Sequence, residues 1–278
     1  MPGGKQTELS AAIAKAGVAR DSLFITTKIR AALDVAHGGP LCLGLDAEYA
    51  LKAVQSDLRE LNVSQVDLVL LHAPCTSAAT NLKLWRGLEQ ALAQKLTRAI
   101  GVSNYKQRQL AALLAEATTK PAVNQCELSV GHHDDETIAY CKAQGITYEA
   151  YEAMRGCPFS NAQVTRRAPA APELLHTRLA RQRPAGLGAA VLVLTHCPIA
   201  SPPPQVQAIA KSHGVGVSQV CLRWVLQKGA IMAVGIGANV TKMPTYAAED
   251  LALYGFKLTE SDMALLDSIG AEASQVEA

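Results

Sequence analysis

The feature that most constrains this chain is an alternation of short apolar runs with longer segments of helical periodicity. The runs are Leu23–Thr27, Val66–Leu71, Arg98–Val102, Ala122–Gln125, Ile146–Tyr151 and Ile231–Ile236. They are rich in β-branched residues and leucine and do not strictly alternate, which is how strands read when both faces of a parallel sheet are covered. Helical patterns precede, separate and follow them at Gln6–Ala16, Ala47–Leu61, Leu82–Gln94, Tyr105–Ala117, Asp134–Gln144, Gln205–His213, Ser218–Gln227 and Thr259–Ile269. The last opens Thr-Glu-Ser-Asp, an N-cap with acidic residues in the first turn. Strand–helix alternation without consecutive strands predicts an α/β protein built on a parallel sheet, open or closed.

A chain of 278 residues, 49% hydrophobic and 18% charged, can build a sizeable core, and a single (β/α) barrel domain over 1–278 fits that length. A net charge of +2 calls for neither nucleic acid nor an anionic membrane. The longest apolar runs, such as Ala189–Leu194, fall far short of the roughly 18 residues of a membrane span, and MPGGKQTELS has no apolar core of a secretory signal. The seven cysteines form no C-x-x-C pair, so reduced thiols in a cytoplasmic protein are the expectation. One stretch breaks the rhythm. Residues 155–204 hold eight of the thirteen prolines and six arginines but a single acidic residue, Glu173, and read as a solvated insertion.

Polar residues stand at the carboxyl ends of the strand runs: Thr27 and Lys28, His72, Ser103 with Asn104, Gln125, and Tyr151. A lysine after a strand is most often solvated surface, and a lone histidine a satisfied polar side chain. Polar ends in register on successive strands are harder to dismiss, because the strand ends of a parallel barrel converge on one mouth. The cluster His132, His133, Asp134, Asp135 has metal-ligand residue types. Adjacent residues rarely point to one centre, so helix capping explains the aspartates better, and no metal is expected. Trp85 and Trp224 sit at apolar helical spacing and read as core.

The stretches LFITTKI (23–29), DLVLLHAP (67–74), RAIGVSNY (98–105), PAVNQCELS (121–129), YCKAQGITYEAY (140–151) and VSQVCLRWVLQKG (217–229) resemble, in the same order, those of the aldo-keto reductases. The late helix LTESDMALLDSI (258–269) continues the likeness. The resemblance implies a (β/α)8 TIM-type barrel and reduction of small aldehydes or ketones to alcohols. The implied cofactor is NADPH, with NADH possible. By motif match Lys28 and His72 are catalytic, the first lowering the pKa of a proton donor and the second hydrogen-bonding near the substrate oxygen. Ser103, Asn104 and Gln125 match the residues that hold the nicotinamide carboxamide, and Tyr151 the ring that stacks on it.

The sequence departs from the family pattern in places. Laying KQTELSAAIAKAGV on the family's early helix puts its catalytic tyrosine at about Gly3 and its aspartate before Met1; the first two barrel strands have no counterpart. The chain thus resembles an N-terminally incomplete or divergent member, and the alternative is a barrel remnant that binds nucleotide or a protein partner without catalysis. Tyr246 and Asp250 stand where the family grips the cofactor's 2′-phosphate, with Lys242 near. Gly235 and Gly237 form only a G-x-G. Glu152 brings negative charge towards a diphosphate, for which Arg166 and Arg167 of the insertion are candidate compensation.

Overall fold

The computed structural model describes residues 4–30, 42, 44–155, 202–234, 241 and 243–274. Most of the predicted insertion, and Gly235, Gly237 and Lys242, lie outside them. Six parallel strands, β1 (Thr26–Ile29), β2 (Val66–Leu71), β3 (Thr97–Ser103), β4 (Val123–Glu127), β5 (Thr147–Tyr151) and β6 (Ile231–Met232), follow one another in sequence order across a single sheet. Sequential parallel order is the wall of a (β/α) barrel; among the described residues it is a six-stranded wall and does not close. Every residue of β2 is buried, as expected of a strand covered on both faces. β1 begins three residues later than its apolar run suggests. Among the described residues it is an edge strand paired with β2 alone, and Phe24 stays 73% exposed.

Helices α1 (Gly4–Ala16), α2 (Ala47–Leu61), α3 (Ala78–Ala93), α4 (Gln107–Leu114) and α5 (Asp135–Gln144) precede or connect the first five strands. α6 (Pro204–His213) and α7 (Val217–Gln227) lead to β6, and α8 (Met243–Leu251) and α9 (Glu260–Ser274) follow it. Local chemistry sets their ends. The side chains of Asp46, Ser77 and Asp134 accept from the backbone N–H of Tyr49, Thr80 and Thr137, capping α2, α3 and α5. Pro204 occupies the first turn of α6, where its missing N–H costs nothing. α2 buries Ala50, Val54, Leu58 and Leu61, one stripe of a 3.6-residue period. It lies so close to α3 that a Cβ at Gly87 would fall onto the Ala47 carbonyl and 2.7 Å from Ala50 Cβ.

Buried polar groups fasten the wall to its helices. Asp67, at the start of β2, accepts from the Ile25 N–H (2.7 Å) and pairs with Arg20 (2.7 Å) and Arg98 (3.0 Å), tying the segment before β1 to β2 and β3. The His132–Asp135 cluster links helices. Asp134 is a cap, and His133 pairs with Asp135 (3.1 Å), meets the Asp267 carbonyl (3.2 Å) and tilts against Trp224. Both tryptophans are buried as predicted; Trp85 donates to the Thr119 carbonyl and Trp224 to Asp267.

The reduced-thiol expectation does not hold throughout. Cys42 and Cys75 form a disulfide with Cα atoms 5.9 Å apart, and Cys221 is disulfide-bonded as well, whereas Cys126 and Cys141 are free and buried. The 33-residue separation of Cys42 and Cys75 hid a pairing that the fold creates by bringing the segments after β1 and β2 together. No helix among the described residues is long and apolar enough to cross a membrane.

Candidate active site

The carboxyl ends of β1 to β5 place the predicted residues around one point. Side chains alternate across a strand, so Lys28 faces the interior of the wall while its neighbour Thr27 turns outward and donates to Asp57 on α2. The register puts Ser103 opposite Gln125 and Gln125 opposite Glu149. Lys28 Nζ donates to Ser103 Oγ at 3.4 Å and stands 5.6 Å from the centre of the Tyr151 ring. Asn104 Nδ2 donates to Ser103 Oγ (3.2 Å) and to the His72 carbonyl (3.1 Å), while its Oδ1 accepts the Tyr151 hydroxyl proton at 2.7 Å. Gln125 Nε2 donates to Glu149 Oε2 at 2.8 Å. Four of the six expected residues, Lys28, Ser103, Asn104 and Tyr151, are thus joined by side-chain contacts, and Gln125 lies beside them, its backbone carbonyl accepting from the Asn104 N–H. His72 enters through its backbone, its half-buried ring standing at the end of β2.

Two of these positions adopt left-handed backbone conformations that non-glycine residues rarely take. Asn104 has φ 62° and Glu152, directly after Tyr151, φ 52°. Asparagine tolerates this region best, and such departures concentrate where a site must be shaped.

Electrostatics follow from burial. Burial lowers the Lys28 pKa, and the charge of Glu149 offsets only part of that. Burial, reinforced by Glu127, raises the Tyr151 pKa, so its hydroxyl keeps its proton and can donate. Burial pushes the Cys126 thiol up to about 12, which keeps it neutral.

Two residues of the site escaped the sequence reading. Glu149 stands two residues before Tyr151, a spacing that puts both on one face of β5. Arg155 pairs with Glu127 (2.8 Å) and Glu152 (3.3 Å), so part of the negative charge expected from Glu152 is countered locally. Arg166 and Arg167 lie outside the described residues. Tyr246 and Asp250 are half-buried on α8, and burial raises the Asp250 pKa.

A cluster of two amides, a hydroxyl, an aromatic ring and an ammonium is suited to a flat ligand that carries a carboxamide. The amides and the hydroxyl match the hydrogen-bonding pattern of such a group, and the ring offers a face for stacking.

Comparison with known proteins agrees. A family model described as "Aldo/keto reductase family" matches residues 2–271. Aldo-keto reductase family 1 member A1 of Xenopus tropicalis is 27% identical over 289 residues, covering 96% of this chain and 74% of that protein. NADPH-dependent codeinone reductase 1-2 of Papaver somniferum is 29% identical over 268 residues, covering 90% of this chain and 67% of that protein. A crystal structure of an aldo-keto reductase complexed with NADPH superposes with a TM-score of 0.68 at 25% identity, over 95% of this chain and 70% of that one.

Proposed function

Since the chain belongs to the aldo/keto reductase family, we propose that it is an oxidoreductase that reduces small aldehydes or ketones to alcohols with NADPH. The observation that carries this reading is the hydrogen-bonded group of Lys28, Ser103, Asn104 and Tyr151, with Gln125 beside it, at the carboxyl ends of the strands. Barrel enzymes assemble their chemistry at that face.

The residues fit the nicotinamide in chemical kind. Ser103, Asn104 and Gln125 would hold the carboxamide, and the Tyr151 ring would support one face of the base. When bound, the nicotinamide supplies the hydride. Lys28 places a positive charge where the carbonyl oxygen becomes an alkoxide, the kind of preorganised charge worth about 10²–10³ in rate. His72, at the rim of the same group, would hydrogen-bond the substrate oxygen and, directly or through a water, supply the proton that turns the alkoxide into the alcohol. Arg155 pairs with both Glu127 and Glu152 and offsets one of their two charges at the edge where a diphosphate would approach.

The test follows NADPH absorbance on mixing the chain with simple aldehydes and ketones, with NADH as the comparison. Carbonyl-dependent oxidation that falls about 10²–10³-fold in Lys28→Ala is the expected result. Turnover unchanged in Lys28→Ala would refute the reading. Saturable nucleotide binding with no turnover would make the chain a binding protein and not a reductase.

A further inference from the structure

A lysine drawn out of water normally meets an acid. Lys228, with a side chain only 14% exposed, is held by Asp135 at 2.7 Å and Asp267 at 3.3 Å. Lys28 is the contrast. It is half-buried on β1, and among the described residues no carboxylate pairs with its ammonium. Its Nζ meets the Ser103 hydroxyl at 3.4 Å and stands 5.6 Å from the centre of the Tyr151 ring. Glu149, whose charge acts on it across the interior, is hydrogen-bonded instead to Gln125 Nε2 at 2.8 Å. An ammonium that loses hydration without gaining a counter-ion is destabilised relative to the free amine, and burial lowers the Lys28 pKa accordingly. A free amine beside an aromatic ring is a nucleophile suited to carbonyl carbons.

We propose that Lys28 is a nucleophile that captures small aldehydes reversibly as an imine on Nζ, at the mouth formed by the strand ends. The Nζ lone pair forms the C–N bond while the carbonyl π pair moves onto oxygen. One proton passes from nitrogen to that oxygen and gives a carbinolamine. The nitrogen lone pair then forms the C=N bond, and the hydroxyl leaves with the second nitrogen proton as water. No oxidant or reductant takes part. Ser103 Oγ, at 3.4 Å from Nζ, is placed to pass these protons. The Tyr151 ring limits access of water to the imine and offers a face to an aromatic aldehyde. Aldehydes are favoured over ketones because their carbonyl carbon is less hindered. The ammonium that would face an alkoxide and the amine that adds to an aldehyde are two protonation states of one group. Capture therefore goes beyond the reductase reading and does not depend on it.

The titratable groups around Lys28 are Tyr151 and Glu149 from β5, Cys126 from β4 and His72 at the end of β2. Burial raises Tyr151 and Cys126, so neither becomes an anion that would hold Lys28 charged near neutral pH. Glu149 is the one acid that opposes the free amine, and burial outweighs it.

The test mixes the full chain with benzaldehyde and sodium cyanoborohydride near pH 7, without nicotinamide. The borohydride fixes any imine as a stable benzylamine, and mass-spectrometric peptide mapping compares Lys28 with the exposed Lys83 and Lys106. Lys28 is expected to be benzylated about tenfold faster, as befits a desolvated amine. The preference should vanish in urea, where burial is lost. In Lys28→Arg the fast phase of labelling should disappear from the intact mass, and mapping of the wild type decides the matter if that variant does not fold. Lys28 labelled no faster than Lys83 and Lys106 in the folded chain, a preference that survives in urea, or a fast phase retained in folded Lys28→Arg would overturn the proposal. Because no nicotinamide is present, the result stands whether or not the chain proves to be a reductase.

Discussion

Lys28 lies on a four-residue strand with one neighbour among the described residues, and Asp67 is the fastening that holds the approach to that strand. Its side chain is 2% exposed and takes the Ile25 N–H at 2.7 Å, Arg20 at 2.7 Å and Arg98 at 3.0 Å. In Asp67→Ala the Ile25 N–H loses its partner, and an unsatisfied buried donor costs about 1–3 kcal/mol. Arg20 and Arg98 have side chains 27% and 56% exposed and can regain water. Their loss therefore adds about 1 kcal/mol, well short of the 3–5 kcal/mol of a fully buried pair. The total is about 2–4 kcal/mol, or a fall in Tm of about 4–16 °C for a chain of this size. Asp67→Asn retains an acceptor for Ile25 and loses only the charge, so its cost is about 1–2 kcal/mol.

The pH dependence of the Asp67 contribution has a definite sign. Burial alone would raise the Asp67 pKa, but the Ile25 N–H and the two arginines outweigh it and hold the carboxyl below its ordinary value. A depressed carboxylate stabilises the fold above its unfolded pKa, near 3.9, and that stability is lost as pH falls through the folded value. Thermal unfolding followed by circular dichroism at pH 7 should rank wild type above Asp67→Asn above Asp67→Ala. The gap between wild type and Asp67→Asn should close below about pH 4. A wild type and an Asp67→Asn variant that melt together at pH 7, or a gap that persists in acid, would refute this account of β1.

Two further perturbations separate opposing effects. Gly87→Ala gains about 1 kcal/mol of helix propensity in α3, yet its methyl would meet the Ala47 carbonyl and Ala50 Cβ of α2. Overpacking of about 1–3 kcal/mol should win, so a melting temperature at or above wild type would show that α2 and α3 do not approach so closely. Cys75→Ser opens the crosslink to Cys42 over a separation of 33 residues. Its removal should cost about 3–4 kcal/mol by loop entropy, and a reductant that lowers the Tm of wild type more than that of Cys75→Ser, which keeps the Cys221 bridge, would confirm the origin. Equal melting of wild type with and without reductant would contradict it.

Much of this was legible in the sequence because it is governed by local periodicity. β2 and α2 fall where their patterns place them, and Lys28, Ser103, Gln125 and Tyr151 were readable as strand ends. What was not legible depends on distance across the fold. The register of β4 against β5 is set across the sheet, so nothing near Glu149 in the sequence marks its bond to Gln125. The Cys42–Cys75 bridge and the Arg155 pairing with Glu127 are likewise created by converging loops. α8 has no apolar stripe and carries Pro244 in its first turn, so its nine residues gave no helical signal. Thr27 shows the limit of reading strand ends as a set. It sits beside Lys28 in sequence, but alternation turns it to Asp57 and away from the site.

Calorimetric titration of NADPH decides whether the strand ends form a nicotinamide site. Saturable binding to the wild-type chain is the expected result. Tyr151→Leu should weaken it about tenfold, the 1.4 kcal/mol expected when the base loses its stacking partner, with Gln125→Ala weaker in the same direction. The absence of saturable binding, or binding left unchanged by both substitutions, would contradict it.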